Sequence, residues 1–309
     1  MKKHTFLSVS ALAAVSALLL AGCASGGDSG GEGKSSGLKT AKEGTLTVTF
    51  GPYMPFTGEE GGKAVGMDGD IVNEMADRMG LDVELAVTDF AGMLSGVQTG
   101  RADVAIGTIN WKEDRTKQGY YTDDTYYNPP AVGGPEDEDF TSIEDLENKR
   151  ICTVTGYAYA DAIPEIDGAE AALFPRMEDV VEEFAADRCD AIFLDPLVVA
   201  YTAEQRPDIG LKVNFIEPPT EAQVAEKPGL TALLPAITGF YAASPEIADA
   251  LTEQLRDMYA DGYMDKKIAE YGGDPDKYLE AAPEIWERRI GVDREKGWTP
   301  PSEVRDSAE

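Results

Sequence analysis

The side chains able to do chemistry are fewer than 309 residues would allow. The single histidine is His4, inside the basic start Lys2-Lys3-His4 of an apolar leader, so the chain beyond the leader has no imidazole. Ser-His-Asp and Cys-His nucleophile activation and histidine-ligated zinc all need one. The acidic run Glu136 to Asp139 lacks calcium-loop spacing, so no metal and no cofactor is expected. Three cysteines stand at Cys23, Cys152 and Cys189. Two charged residues hold notable positions: Arg115 follows Lys112-Glu113-Asp114, and Asp195 directly precedes Pro196. Taken alone, Arg115 reads as a surface ion-pair partner and Asp195 as a helix N-cap.

Composition narrows the functional classes. The 27 Lys+Arg against 57 Asp+Glu give 27 − 57 = −30, which excludes a nucleic-acid binder relying on clustered basic residues. A hydrophobic content of 42% is enough for a core, and the length favours two lobes. Residues 1–22 have the basic start, apolar run and small residues of an export signal. Leu20-Ala21-Gly22-Cys23 resembles the bacterial lipobox, whose cysteine is diacylated and becomes the first mature residue. Residues 23–44 then read as a lipidated cysteine and a flexible Gly/Ser tether. No later run is long and apolar enough to span a bilayer. The expected location is outside the cytoplasm, lipid-anchored to the cell membrane.

The body must position any site through alternating elements. Strands are expected over 45–50, 82–87 and 102–106, with helices over 70–79 and 92–99 between them. The series repeats with strands over 150–155, 169–175 and 190–194 and helices over 158–163 and 177–187. A polar segment around Gly133 to Ser142 separates the two runs. Two βαβαβ runs predict two α/β lobes with largely parallel sheets, which bind ligands at the carboxyl ends of their strands. Helices follow over 245–261 and 263–271, and a tail carrying Trp286 and Trp298 is expected to strap the first lobe.

Pro55-Phe56, then Gly66-Met67-Asp68-Gly69-Asp70-Ile71 leading into a helix, resembles the signature of family 3 bacterial extracellular solute-binding proteins, the amino-acid receptors of ABC importers. Asp89-Phe90-Ala91-Gly92-Met93-Leu94, Gly100-Arg101-Ala102-Asp103-Val104, Gly107 with Arg115, Asp190 to Asp195 and Ala260-Asp261-Gly262-Tyr263 follow in the family's order. The resemblance implies a two-lobe periplasmic-binding-protein-like (type II) fold with a ligand cleft between the lobes. Lobe 1 is expected over 45–132 plus 239–309 and lobe 2 over 133–238.

It further implies that Arg115 grips a ligand α-carboxylate, that Asp195 pairs with its α-ammonium, and that Tyr53 and Phe90 pack against it. Asn110 is the candidate cap for the carboxylate, with Thr108 as the alternative. Tyr157 replaces a small donor in the usual Gly-Thr turn. Phe50, Tyr53, Phe90, Trp111 and Tyr157 together offer an aromatic lining. The expected function is capture of an amino acid or related zwitterion by lobe closure and delivery to the ABC permease subunits, without enzymatic turnover. Two alternatives remain: an exported cyclohexadienyl-type dehydratase on the same scaffold, or a receptor for a betaine or ectoine. Cys152 and Cys189 lie near the starts of strands that are neighbours in this family, which leaves a disulfide and two buried thiols both open.

Overall fold

The computed structural model describes residues 37–112 and 114–279. The leader, Cys23, most of the tether, and Trp286 and Trp298 lie outside the described residues. The tether expected to run to Gly44 is pinned from Ala41 onward: the Ala41 N–H donates to Asp103 Oδ1 at 2.7 Å, and Lys42 pairs with Glu84 at 2.6 Å.

The first run comprises β1 (Thr45–Phe50), β2 (Gly58–Glu60), β3 (Lys63–Val65), α1 (Met67–Met79), β4 (Asp82–Val87), α2 (Phe90–Gln98), β5 (Val104–Ala105) and β6 (Tyr120–Tyr121). Helix α1 buries Ile71, Val72, Met75, Ala76 and Met79, the stripe that apolar spacing of three and four residues creates. Its Gly69 answers a packing demand, because a Cβ there would stand 2.9 Å from the backbone of Ala64. Helix α2 starts where Asp89 caps the Gly92 N–H at 2.7 Å.

The chain continues through β7 (Tyr127–Asn128), β8 (Ala131–Pro135), β9 (Arg150–Val154), β10 (Glu170–Phe174), α3 (Met177–Ala185), β11 (Ala191–Phe193), α4 (Pro196–Gln205) and β12 (Leu211–Phe215). It ends with α5 (Glu221–Glu226), β13 (Ala236–Ile237), β14 (Tyr241–Ala242), α6 (Pro245–Ala260), α7 (Tyr263–Glu270) and α8 (Pro275–Leu279). Two expectations need correction. The helix expected over 158–163 is two short 3-10 turns, Ala158–Asp161 and Ile163–Glu165, the second with Pro164 as its second residue, whose ring and missing N–H prevent one continuous helix. The polar segment at Gly133 instead contributes strand β8, buried over Ala131 to Gly134.

Two five-stranded sheets result, in the orders β4-β1-β5-β14-β6 and β10-β9-β11-β8-β12. Within each, four strands run parallel and only the fourth in the order, β14 in one and β8 in the other, runs antiparallel to them. The two βαβαβ runs therefore repeat one winding, and the loops leaving β1, β4, β5, β9 and β11 emerge at carboxyl strand ends. A two-stranded ladder of β7 with β13 lies in the two crossovers. Cys152 and Cys189 form a disulfide with Cα atoms 5.9 Å apart, tying β9 to the entry of β11. Among the described residues, no helix is long and apolar enough to cross a membrane.

Candidate functional site

Five of those loops meet. Tyr53 follows β1, Phe90 follows β4, Thr108 and Asn110 follow β5, Tyr157 follows β9 and Asp195 follows β11, as expected of open sheets that bind at their carboxyl edges. A small cavity of about 10 Å³ is lined by Phe90, Thr108, Asn110, Arg115, Tyr157 and Asp195, among others. Beyond the Phe90–Tyr157 pair, a larger cavity of about 200 Å³ opens between Asp89 and Met93 on one side and Arg176 to Glu178 on the other.

Asp195 occupies the N-cap of α4 but makes no side-chain cap. Its carboxylate turns into the cleft and takes four neutral donors. Oδ2 accepts from Tyr53 at 2.8 Å and Thr108 at 2.7 Å, and Oδ1 accepts from Asn128 at 2.6 Å and Tyr159 at 3.1 Å. It is 2% exposed, and no cationic side chain pairs with it among the described residues. Burial raises its pKa above the ordinary carboxylate value, and the hydrogen bonds from Thr108, Tyr53 and Tyr159 oppose that shift. Burial, and then the Asp195 charge, push the Tyr53 and Tyr159 phenols well up, so both remain donors.

Arg115 sits in a short 3-10 turn and is buried. It donates to the Asn110 carbonyl at 2.6 Å and, across the cleft, to the Gly156 carbonyl at 2.7 Å. Its guanidinium lies over the Phe90 ring, 5.1 Å from the centroid. Phe90 meets Tyr157 edge-on at 4.9 Å, and Tyr157 meets Tyr53 at 5.8 Å. Asn110 Oδ1 is buried with no hydrogen-bond partner, an unmet acceptor on a residue that lines the same cavity as Asp195.

The structure therefore brings together Tyr53, Phe90, Asn110, Arg115, Tyr157 and Asp195. It does not bring in Trp111, which is half-buried against the Met93, Val97 and Tyr241 cluster under α2. Phe50 is also absent from the lining. Strand alternation puts it on the face of Leu46 and Val48, where it is fully buried. Sequence reasoning missed Asn128 and Tyr159, both bonded to Asp195, and Asp68, which holds the loop bearing Thr108.

Residues 46–274 match the bacterial extracellular solute-binding proteins, family 3. The chain is 23% identical over 252 residues to the arginine-binding extracellular protein ArtP of Bacillus subtilis (strain 168), covering 81% of this chain and 94% of that one. It is 25% identical over 271 residues to the L-cystine-binding protein TcyA of the same organism, covering 84% and 94%. An ancestral arginine-binding protein solved bound to glutamine superposes with a TM-score of 0.65 at 25% identity, covering 75% of this chain and all of that one. With two lobes, a cleft at the carboxyl strand ends and a family match spanning both sheets, this chain belongs to family 3 of the bacterial extracellular solute-binding proteins.

Proposed function

We propose that the chain is the lipid-anchored receptor of an ABC importer, closing on an amino acid whose carboxylate is gripped by Arg115 and whose ammonium is taken by Asp195. The observation carrying this reading is the environment of Asp195: a buried carboxylate with donors but no cation, lining one cavity with a buried guanidinium. A primary ammonium supplies the missing charge and N–H donors, whereas a betaine has no N–H to offer. The unmet Asn110 Oδ1 is an acceptor, so it suits the ammonium better than the carboxylate cap expected from sequence.

Tyr53, Phe90 and Tyr157 would contact the side chain, which extends toward the cavity of about 200 Å³. Their faces suit an apolar or a cationic group, and the relatives' arginine and cystine are the first candidates to test. An amino acid needs more room than about 10 Å³, so entry requires the lobes to part. We propose lobe 1 over 45–132 with 239–309 and lobe 2 over 133–238; the strands of the two five-stranded sheets fall on either side of this division, except that β8 begins two residues before it, at Ala131. The membrane anchor is Cys23, and the ABC permease is the partner.

The test is a thermal-shift and calorimetric screen of the protein, unfolded and refolded to strip carried-over solute, against the standard L-amino acids, L-cystine, betaines and ectoine. One amino acid raising Tm and recovered chemically unchanged supports the reading. Shifts with betaines alone, or turnover of the added compound, overturn it. A Cys23→Ser protein that still partitions with membranes would overturn the anchor.

A further inference from the structure

Asp68 stands in the first turn of α1, fully buried, yet it caps no helix N–H and no cation pairs with it among the described residues. An aspartate so placed ordinarily serves its own helix terminus. Here it serves another loop. Oδ2 accepts from the N–H groups of Gly107 at 2.9 Å and Thr108 at 3.1 Å, and Oδ1 accepts from the Tyr126 hydroxyl at 2.9 Å.

Two successive N–H groups reach one oxygen because Gly107 and Thr108 both have positive φ, +111° and +47°. Consecutive N–H groups turned the same way form an anion-binding concavity, which the chain fills with its own carboxylate. For Thr108 the conformation is costly, since a β-branched residue at φ > 0 is strained and persists only where its surroundings impose it. In that conformation Thr108 Oγ1 reaches Asp195 Oδ2 at 2.7 Å and lines the cavity shared with Arg115. Asp68 does not line that cavity.

We infer that Asp68 is a positioning residue of the binding site: its carboxylate holds the Gly107–Thr108 bend, and the bend aims the Thr108 hydroxyl at Asp195. The inference rests on reading that cavity as the solute site. The bland alternative is that Asp68 merely pins α1 to the sheet.

The test compares Asp68→Ala, Asp68→Asn and Thr108→Ala, with the standard L-amino acid that most raises the wild-type Tm as probe. Asp68→Ala removes the acceptor and is expected to weaken binding about tenfold or more. Asp68→Asn keeps an oxygen for the two N–H groups and an N–H for Tyr126, and is expected to recover affinity to within about threefold of wild type. The amide proton shifts of Gly107 and Thr108 follow the same order, changed in the alanine variant and retained in the asparagine one. Thr108→Ala leaves Asp68 in place and should weaken binding by itself, which keeps the test open if Asp68→Ala does not fold. Wild-type affinity in Thr108→Ala, or a lower Tm without lost affinity in Asp68→Ala, overturns the inference alone. A wild-type protein that binds no amino acid overturns the functional reading and takes this inference with it.

Discussion

Tyr53 and Asp195 form a reciprocal pair: the Tyr53 hydroxyl donates to Asp195 Oδ2 at 2.8 Å and accepts from the Asp195 N–H at 3.1 Å. Tyr53 follows the first strand of one sheet and Asp195 the β11 strand of the other, so this hydroxyl is a direct bond between lobes. Tyr53→Phe retains the ring and its stacking but removes the bond. A buried hydrogen bond to a charged group contributes roughly 1.5–3 kcal/mol, so ligand affinity should fall about tenfold or more, measured by calorimetry. An unchanged Kd would show that the hydroxyl plays no part in closure.

Arg115→Ala and Asp195→Asn each strip one charge from the proposed clamp. Leaving the ligand's opposite charge buried and unpaired costs about 3–5 kcal/mol, so both variants should bind at least a hundredfold more weakly while their circular dichroism stays native. Wild-type binding in both variants would refute the site.

The Cys152–Cys189 bond closes a loop with a sequence separation of 37 residues. Chain-entropy reasoning gives a loop of this size a stabilisation of about 3–4 kcal/mol. The Cys152→Ser/Cys189→Ser protein should therefore unfold at clearly lower urea, and reductant should lower the wild-type midpoint similarly. Denaturation curves that coincide with and without reductant would contradict this.

Burial holds the Asp68 pKa at about 7, against an ordinary value near 4. Between those values the native state keeps a proton that the unfolded chain has released. The stability contribution of Asp68 is thus whole below about pH 4 and lost as pH rises through about 7. Asp195 is shifted the same way. The surface carboxylates paired with arginines, Glu183 and Asp208, have lowered values and act in the opposite sense and at lower pH. Urea unfolding free energy should fall between about pH 4 and 7, with a shallower slope in Asp68→Asn. Identical slopes would show that Asp68 does not titrate in that window.

The elements that sequence locates well are those written in local periodicity. The apolar stripe of α1 and the short β-rich runs of β1, β4 and β9 depend on residues a few positions apart. Strand β8 was hidden because Gly133-Gly134-Pro135 reads as a turn. Its glycines are there because a Cβ would stand 2.7 Å from Ile192 and 2.4 Å from Phe140, tertiary contacts that local periodicity does not show. The site divides the same way. Arg115 and Asp195 come with ordered motifs, whereas Asn128, Tyr159 and Asp68 matter through partners 36 to 67 positions away. One signal was present: an aspartate in the first turn of a helix that a glycine already precedes at the cap.

The bond between Arg115 and the Gly156 carbonyl, with those from Tyr53 and Thr108 to Asp195, bears on speed as well as affinity. These contacts favour closure whether or not cargo is aboard, and cargo enters only while the lobes are apart. Capture is then gated: at high solute concentration the observed rate should level off at the rate of opening instead of rising in proportion. Loosening a cross-cleft contact would quicken loading and unloading together, and the receptor's turnover at the permease would track hinge motion more closely than ligand chemistry.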